Sequence, residues 1–395
     1  MLLKLALTGV LAVAGVSLPQ VPARADTSPS SAWSQDGYGP GNNTWNPNEQ
    51  IVTARRVAGL KLRWSVDSGP EGAPCSRAGT PPVVANGRVF VLDYATNGIT
   101  ARDAKTGERL WRFSGASFDA LGIAVIGNRL VAVDAPCDPR TGAPSHVVAL
   151  DVKTGDVRWR KPTDLRIFSF VVDAGTVVAA TYHGAGPDPG AGSVAFRVSD
   201  GGLLWERDDV LAGQVSAQGR VMMADQNTRT WTAVSITTGR RIWHTGIETT
   251  AEAADPDGVR FYLTNARGLR AVDAASGRPL WRIPGLGGPV CDDGQRLYLG
   301  GGELFHTGAG VAVVSAWEPA TGKLLWWRGL DGAQRMVRTT DLLIVGTVGQ
   351  VAFLSPEDGS VAAPARGLAA MNNHPVVAGG KLYLTDRTAL RVYAP

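Results

Sequence analysis

Short runs of alternating apolar and polar residues recur from about residue 81 to the C-terminus. PPVVANGRVFVLDY and FVVDAGTVVAATY are typical, each being two runs split by a short glycine turn. A period of two puts every second side chain on one face, the pattern of a strand; none of the runs keeps the 3.6-residue period of a helix. Each pair leads through a variable loop to a third run, a Thr-Gly turn and a fourth run ending on tryptophan. ARDAKTGERLW (101–111) and ALDVKTGDVRW (149–159) share the pattern A-x-D-x-x-T-G-x-x-x-W at every fixed position. The pattern returns with drift in copies ending at Trp205, Trp243, Trp281 and Trp326, and a degenerate copy, FLSPEDGSVAA, ends at Ala363.

Successive turn glycines, from Gly107 to Gly359, are 48, 46, 38, 38, 45 and 37 residues apart. Four short antiparallel strands in a unit of about 40 residues make a β-propeller blade. Strand sets begin near Pro81, Ile123, Phe170, Val215, Ala254, Pro289, Met336 and Pro375, so eight blades are predicted. The eighth stops at Pro395 after three strands. Leu60 to Trp64, followed by Ser65 and Val66, supplies the missing strand with its tryptophan in register. The fold predicted is all-β: an eight-bladed propeller of four-stranded antiparallel blades, closed by an N-terminal strand pairing with the last blade. Closure removes two exposed sheet edges. The domain expected is 59–395, preceded by an extension over 26–58.

The motif has a physical reading. Glycine takes positive φ in the turn without strain, and the aspartate accepts backbone N–H bonds there. Trp64, Trp111, Trp159, Trp205, Trp243, Trp281 and Trp326 are expected to pack between neighbouring blades. Gly300-Gly301-Gly302 reads as a loop between second and third strands. Asp255-Pro256-Asp257-Gly258 reads as an inner hairpin turn rather than a calcium loop.

Residues 1–25 read as a secretory signal peptide. Lys4 supplies a positive start, Leu5 to Leu18 an apolar run, and Ala23-Arg24-Ala25 a small-x-small cleavage site. Cleavage after Ala25 leaves a secreted or extracytoplasmic chain, with no later run apolar enough to span a membrane. The formal charge is +4, and +2 once Lys4 and Arg24 are removed, so no nucleic-acid partner is expected. Gly and Pro number 49 and 24, which suits a turn-rich fold and excludes a helical bundle. Of three cysteines, Cys75 and Cys137 sit in Pro/Gly-rich segments and are expected to form a disulfide, leaving Cys291 free. No Cys/His cluster has metal-ligand spacing, and no nucleophile elbow, zinc-protease or P-loop motif occurs.

The repeats resemble the pyrroloquinoline-quinone (PQQ) repeat of the quinoprotein alcohol dehydrogenase-like propellers, over essentially the whole chain beyond residue 25. The segment from Trp33 to Trp64 is similar to that family's N-terminal lead-in. The resemblance implies the propeller fold. In the family's dehydrogenases it also implies PQQ at the mouth of the central funnel, held by Ca²⁺ and stacked between a tryptophan and a disulfide of adjacent cysteines. This sequence has no adjacent cysteines and only short insertions, so it is more similar to the non-catalytic, BamB-like members.

In a propeller, the loops joining one blade to the next and those between second and third strands share one face. His374, Asn372 and Asn373 lead into the last blade there, with His183 and His306 in other loops of that face. These five are the ligand-face candidates; no catalytic residue and no metal site is assigned. The reading is a non-enzymatic binding or scaffold module for a protein or other envelope-associated partner, with no cofactor. The alternatives are a PQQ- and Ca²⁺-dependent oxidoreductase, and a carbohydrate- or small-ligand-binding propeller using Tyr94, Tyr182 and Phe305.

Overall fold

A computed structural model describes residues 32–67, 80–93, 98–114, 122–134, 144–163, 166–182, 191–225, 228, 230–303, 312–330, 332–333, 335–347, 350–364, 368, 375–385 and 389–395. Thirty-two strands form eight four-stranded antiparallel sheets. Strands are lettered A (innermost) to D (outermost) within each blade. Blades 1 to 7 follow chain order, within 83–114, 123–163, 166–207, 210–248, 250–284, 290–329 and 336–363. Blade 8 takes three strands from 376–394 and its D strand from Lys61–Asp67. The closing pair runs antiparallel, from Lys61 opposite Ala394 to Asp67 opposite Ala389. The eight-bladed ring and its closure are thus as the repeat count predicts.

The two ends of the repeat motif meet across the C and D strands. Ala101 lies opposite Trp111, Ala149 opposite Trp159, Ala195 opposite Trp205, Ala233 opposite Trp243, Ala271 opposite Trp281 and Ala316 opposite Trp326. The small residue leaves room for the indole beside it. Blade 7 exchanges the sizes, with Phe353 opposite Ala363. In the turn, Asp103 Oδ1 accepts from the backbone N–H of Lys105 at 2.8 Å and of Thr106 at 2.9 Å. These bonds, that of Thr106 foremost, hold the Asp103 carboxyl below its ordinary range.

Each tryptophan then reaches the next blade. Trp64 lies on Gly107, Trp111 on Gly155, Trp159 on Gly201, Trp205 on Gly239, Trp243 on Gly277, Trp281 on Gly322 and Trp326 on Gly359. A Cβ on Gly155 would come within 2.6 Å of the Trp111 ring, and its φ is +77°. Glycine is therefore required both by the turn and by the indole. Six of the indoles also donate to a carbonyl of the next blade: Trp111 to Val152, Trp159 to Val198, Trp205 to Ile236, Trp243 to Ala274, Trp281 to Pro319 and Trp326 to Pro356, at 2.8–3.1 Å. At the closing seam the Trp64 indole N–H has no partner.

The apolar core is divided among the junctions between blades. One cluster, for example, joins Trp111 and Phe90 of blade 1 to Ile123 and Leu150 of blade 2. Between blades 7 and 8, where no motif tryptophan stands, the extension supplies the filling. Val52, Val57 and Leu60 are buried there with Ile344, Phe353, Leu382 and Leu384.

Three strand starts and one loop differ from what the sequence predicts. The A strands of blades 3, 4 and 5 start earlier, at Arg166, Val210 and Thr250. Register shifts at Ile167/Ser169, Ala212/Ser216 and Ala251/Ala253 interrupt the alternation that marks a strand. Gly300-Gly301-Gly302 is not loop but part of strand Leu297–Glu303, with a bulge between Gly300 and Gly302. The Gly300 carbonyl approaches Gly288 too closely for a side chain there, since a Cβ on Gly288 would stand 2.6 Å from that oxygen. The Asp255–Gly258 turn is as expected, with Gly258 N–H donating to the Asp255 carbonyl at 2.9 Å.

Replacing an indole by phenyl removes the N–H and some contact area. Trp205→Phe orphans the Ile236 carbonyl, whereas Trp64→Phe removes a buried donor that is already unpaired. Trp205→Phe should therefore destabilise the chain by about 1 kcal/mol more than Trp64→Phe. Urea unfolding of the two variants measures this; equal losses would contradict it.

Candidate functional site

Two ends of the ring carry different elements, and they differ in what is described. Strand connectivity puts Cys75 and His374 in segments joining one blade to the next, and Cys137, His183 and His306 between B and C strands. Cys75, Cys137, His183, His306, Asn372, Asn373 and His374 lie outside the described residues, as do Tyr94 and Phe305. So do residues 1–25. Cys291 is free and fully buried in strand Val290–Asp292, and burial pushes its thiol pKa up, so it is held as an inert thiol.

The opposite end, with the A–B turns, carries a feature that the repeat pattern does not reveal. Residues 33–49 run as a strap across the innermost strand of every blade in order. Trp33 exchanges both backbone bonds with Val84 of blade 1, and Ser34 accepts from Val125 of blade 2. The Gln35 amide bonds both the N–H and the carbonyl of Val172 in blade 3. Pro40, Gly41, Asn43 and Thr44 carbonyls then accept from Ser216, Ala254, Asp292 and Arg338 in blades 4 to 7, at 2.7–3.0 Å. Asn46 Nδ2 donates to Val377 of blade 8 at 2.7 Å, and the buried Glu49 carboxylate accepts from Gly380 N–H at 3.0 Å. The strap thereby satisfies at least one inner-strand backbone group in each blade, at positions otherwise facing the axis.

Under the strap, blades 5 to 7 hold a group of buried polar side chains. Asp293 pairs with the Arg338 guanidinium at 2.9 Å and Asp255 with Arg260 at 2.8 Å. Asp292 is completely buried; its Oδ2 accepts from the Tyr262 hydroxyl at 2.5 Å and its Oδ1 from Gly294 N–H at 2.7 Å. The Tyr298 hydroxyl donates to Asp293 at 3.1 Å. Burial first, then the carboxylates of Asp255 and Asp293, pushes the Asp292 pKa up to about 7. Burial raises Asp255 as well, against the pull of its bonds to Arg260.

A cavity of about 460 Å³ opens between the strap and the A–B turns of blades 4 and 5. Tyr38, Asn43, Trp45, Gln218 and Asp257 are among its lining, so aromatic rings stand beside amide and carboxylate groups. A second cavity, about 330 Å³, lies at the seam of blades 8 and 1 beside Lys105, Lys381 and Tyr383. The Tyr383 hydroxyl, like the Trp64 indole, is buried there without a partner.

The cysteines present do not fit the quinone site that the fold family implies. The chain's three cysteines are far apart in sequence, so no adjacent pair forms the stacking disulfide. Among the described residues no group of three His, Cys, Asp or Glu side chains is placed to hold a metal ion.

The sequence profile of the family described as "Outer membrane protein assembly factor BamB" matches residues 49–245 and 265–394. The chain belongs to this family. A relative, outer membrane protein assembly factor BamB of Burkholderia pseudomallei (strain K96243), is 29% identical over 362 residues, covering 84% of this chain and 87% of that protein. Among solved structures, a europium-containing methanol dehydrogenase superposes with a TM-score of 0.68 at 12% identity, covering 93% of this chain and 98% of that one. BamB from Moraxella catarrhalis superposes with a TM-score of 0.60 at 16% identity, covering 85% and 98%. At these identities the two structures share the fold with this chain and no more. The family match begins at Glu49, so the strap's crossing of blades 1 to 7 falls before it.

The raised Asp292 pKa gives a signed expectation. Between pH 4 and about 7 this carboxyl holds its proton in the folded chain and not in the unfolded one, since the ordinary carboxyl has a pKa of 3.8. This group's contribution is thus most favourable below pH 4, falls as pH rises to about 7, and is constant above. Asp292→Asn keeps an acceptor for Gly294 and a partner for Tyr262 without the charge. The variant should exceed the parent in stability at pH 8 by on the order of a few kcal/mol, and the gap should narrow towards pH 4. Denaturant midpoints across that range test it; a gap independent of pH would refute the assignment.

Proposed function

We propose that this chain is an exported, non-catalytic propeller scaffold that holds a protein partner in the cell envelope. The observation that carries the reading is the two-way alignment with BamB, which spans most of both chains rather than a shared repeat. In this reading residues 1–25 are removed as a signal peptide, 26–58 form the extension and 59–395 the propeller. His374, Asn372, Asn373, His183 and His306 contribute to a docking face at the end remote from the strap, braced by a Cys75–Cys137 disulfide. The strap supports this polarity, because it engages the inner strands of all eight blades at the other end. The lack of an adjacent cysteine pair argues against the quinoprotein alternative.

The deciding experiment is calorimetric titration of the chain from Asp26 with PQQ, with and without Ca²⁺. No saturable heat is expected up to high micromolar quinone. Near-stoichiometric, Ca²⁺-dependent binding would replace the scaffold by a dehydrogenase. A photo-cross-linking residue at position 374, in the producing cell, should give a discrete adduct with one envelope protein.

A further inference from the structure

The eight blades serve as controls for one another, and the outer rim shows one departure. Every D strand is a sheet edge paired on one side alone. Such edges recruit other strands unless charge, proline or irregularity blunts them. Several D strands expose an aliphatic side chain just before the tryptophan position, such as Leu110, Ile242, Leu280 or Leu325. The residue after that position is polar or proline in each of the other blades. It is Arg112, Arg160, Glu206, His244 and Arg282 in blades 1 to 5, Pro364 in blade 7 and Ser65 in blade 8, all exposed. In blade 6 it is Trp327.

Along Leu324–Gly329 exposure alternates, so Leu325 and Trp327 stand on one open face, 46% and 49% exposed. Lys323 continues that exposed series at the start of the strand. The repeat motif does not account for Trp327, although the doubled tryptophan in KLLWWR marks the place: one indole seats the next blade, and the other has no such task.

We propose that the free edge of blade 6 docks an extended segment of a protein partner by strand addition. The segment carries apolar side chains two residues apart, to lie against Leu325 and Trp327, and an acidic residue to meet Lys323. Area favours this occupant over a second copy of the chain. Two propellers meeting along one six-residue strand bury far less than the roughly 1,000 Å² a stable pair of folded chains needs. An added strand takes its affinity from main-chain hydrogen bonds and needs only shallow side-chain contacts. The inference rests on the scaffold reading and names the partner's local form.

The probe is a fluorescein-labelled peptide, Asp-Ser-Val-Thr-Ile-Thr-Val-Ser-Asp, titrated with the chain from Asp26 and followed by anisotropy. Saturable binding is expected, weakened about tenfold or more by Trp327→Ser. Ile242→Ser, on the edge of blade 4, should leave it unchanged. Both positions are exposed, so neither change threatens the fold, and bound peptide should slow amide exchange within Leu324–Gly329. Absence of binding, or binding indifferent to Trp327→Ser, would overturn the proposal. So would a Trp327-dependent dimer in sedimentation, or Trp327-dependent binding to phosphatidylcholine–phosphatidylglycerol vesicles. Failure here with no quinone binding leaves the scaffold standing; quinone binding removes the scaffold whatever the peptide does.

Discussion

An indole seated on the turn glycine of the following blade is the contact on which the ring depends. It occurs at seven junctions with the same partners, and at six of them the indole N–H also finds a carbonyl across the gap. A propeller has no shared centre, so its cohesion is a series of nearest-neighbour interfaces. Deleting a large aromatic from such an interface costs about 3–5 kcal/mol, a sizeable part of the net stability of a domain. The repeated geometry explains why alanine, glycine and tryptophan hold fixed places. Alanine flanks the indole within its blade, and glycine receives it from the next.

The strap answers a different constraint. Inner strands converge on the axis with one edge unpaired, and eight such edges cannot pair with one another around a ring. A single continuous segment passing all eight offers each one a bond, in most cases a backbone carbonyl. Gln35 shows how the chain manages where its backbone does not come into register: a side-chain amide imitates a peptide group. The buried carboxylates of blades 5 and 6 lie beneath this crossing; Arg260 and Arg338 compensate Asp255 and Asp293, and the Tyr262 hydroxyl donates to Asp292.

How far the sequence discloses this varies with the range of the interaction. Blade number and the seating of Trp64 through Trp326 follow from a motif whose partners are local or one repeat away, and closure follows from the count, because the last blade lacks one strand that Leu60 to Trp64 supplies. The early starts of the A strands at Arg166, Val210 and Thr250 are hidden because bulges destroy the two-residue period. The strap is hidden for another reason: its bonds are mostly from backbone carbonyls, which leave little trace in residue choice, and its partners lie up to 331 residues away. Asp292 and Arg338 look like ordinary strand-end polar residues. Only their convergence at neighbouring blades makes them a buried group. For the ligand-face histidines and asparagines the sequence says where the connectivity puts them, but not what they touch.

The strap also has a consequence for the order of assembly. A ribosome makes residues 33–49 before any blade exists, yet their eight binding positions are complete only when the last residues have been added. The outer strand Lys61–Asp67 is in the same position, waiting for Ala389–Ala394. Residues 33–49 and Lys61–Asp67 therefore cannot complete their bonds until the last blade has been made. A chain cut short at its C-terminal end therefore keeps its clasp but lacks part of what the clasp must hold. Completeness of synthesis is in this way written into the stability of the ring.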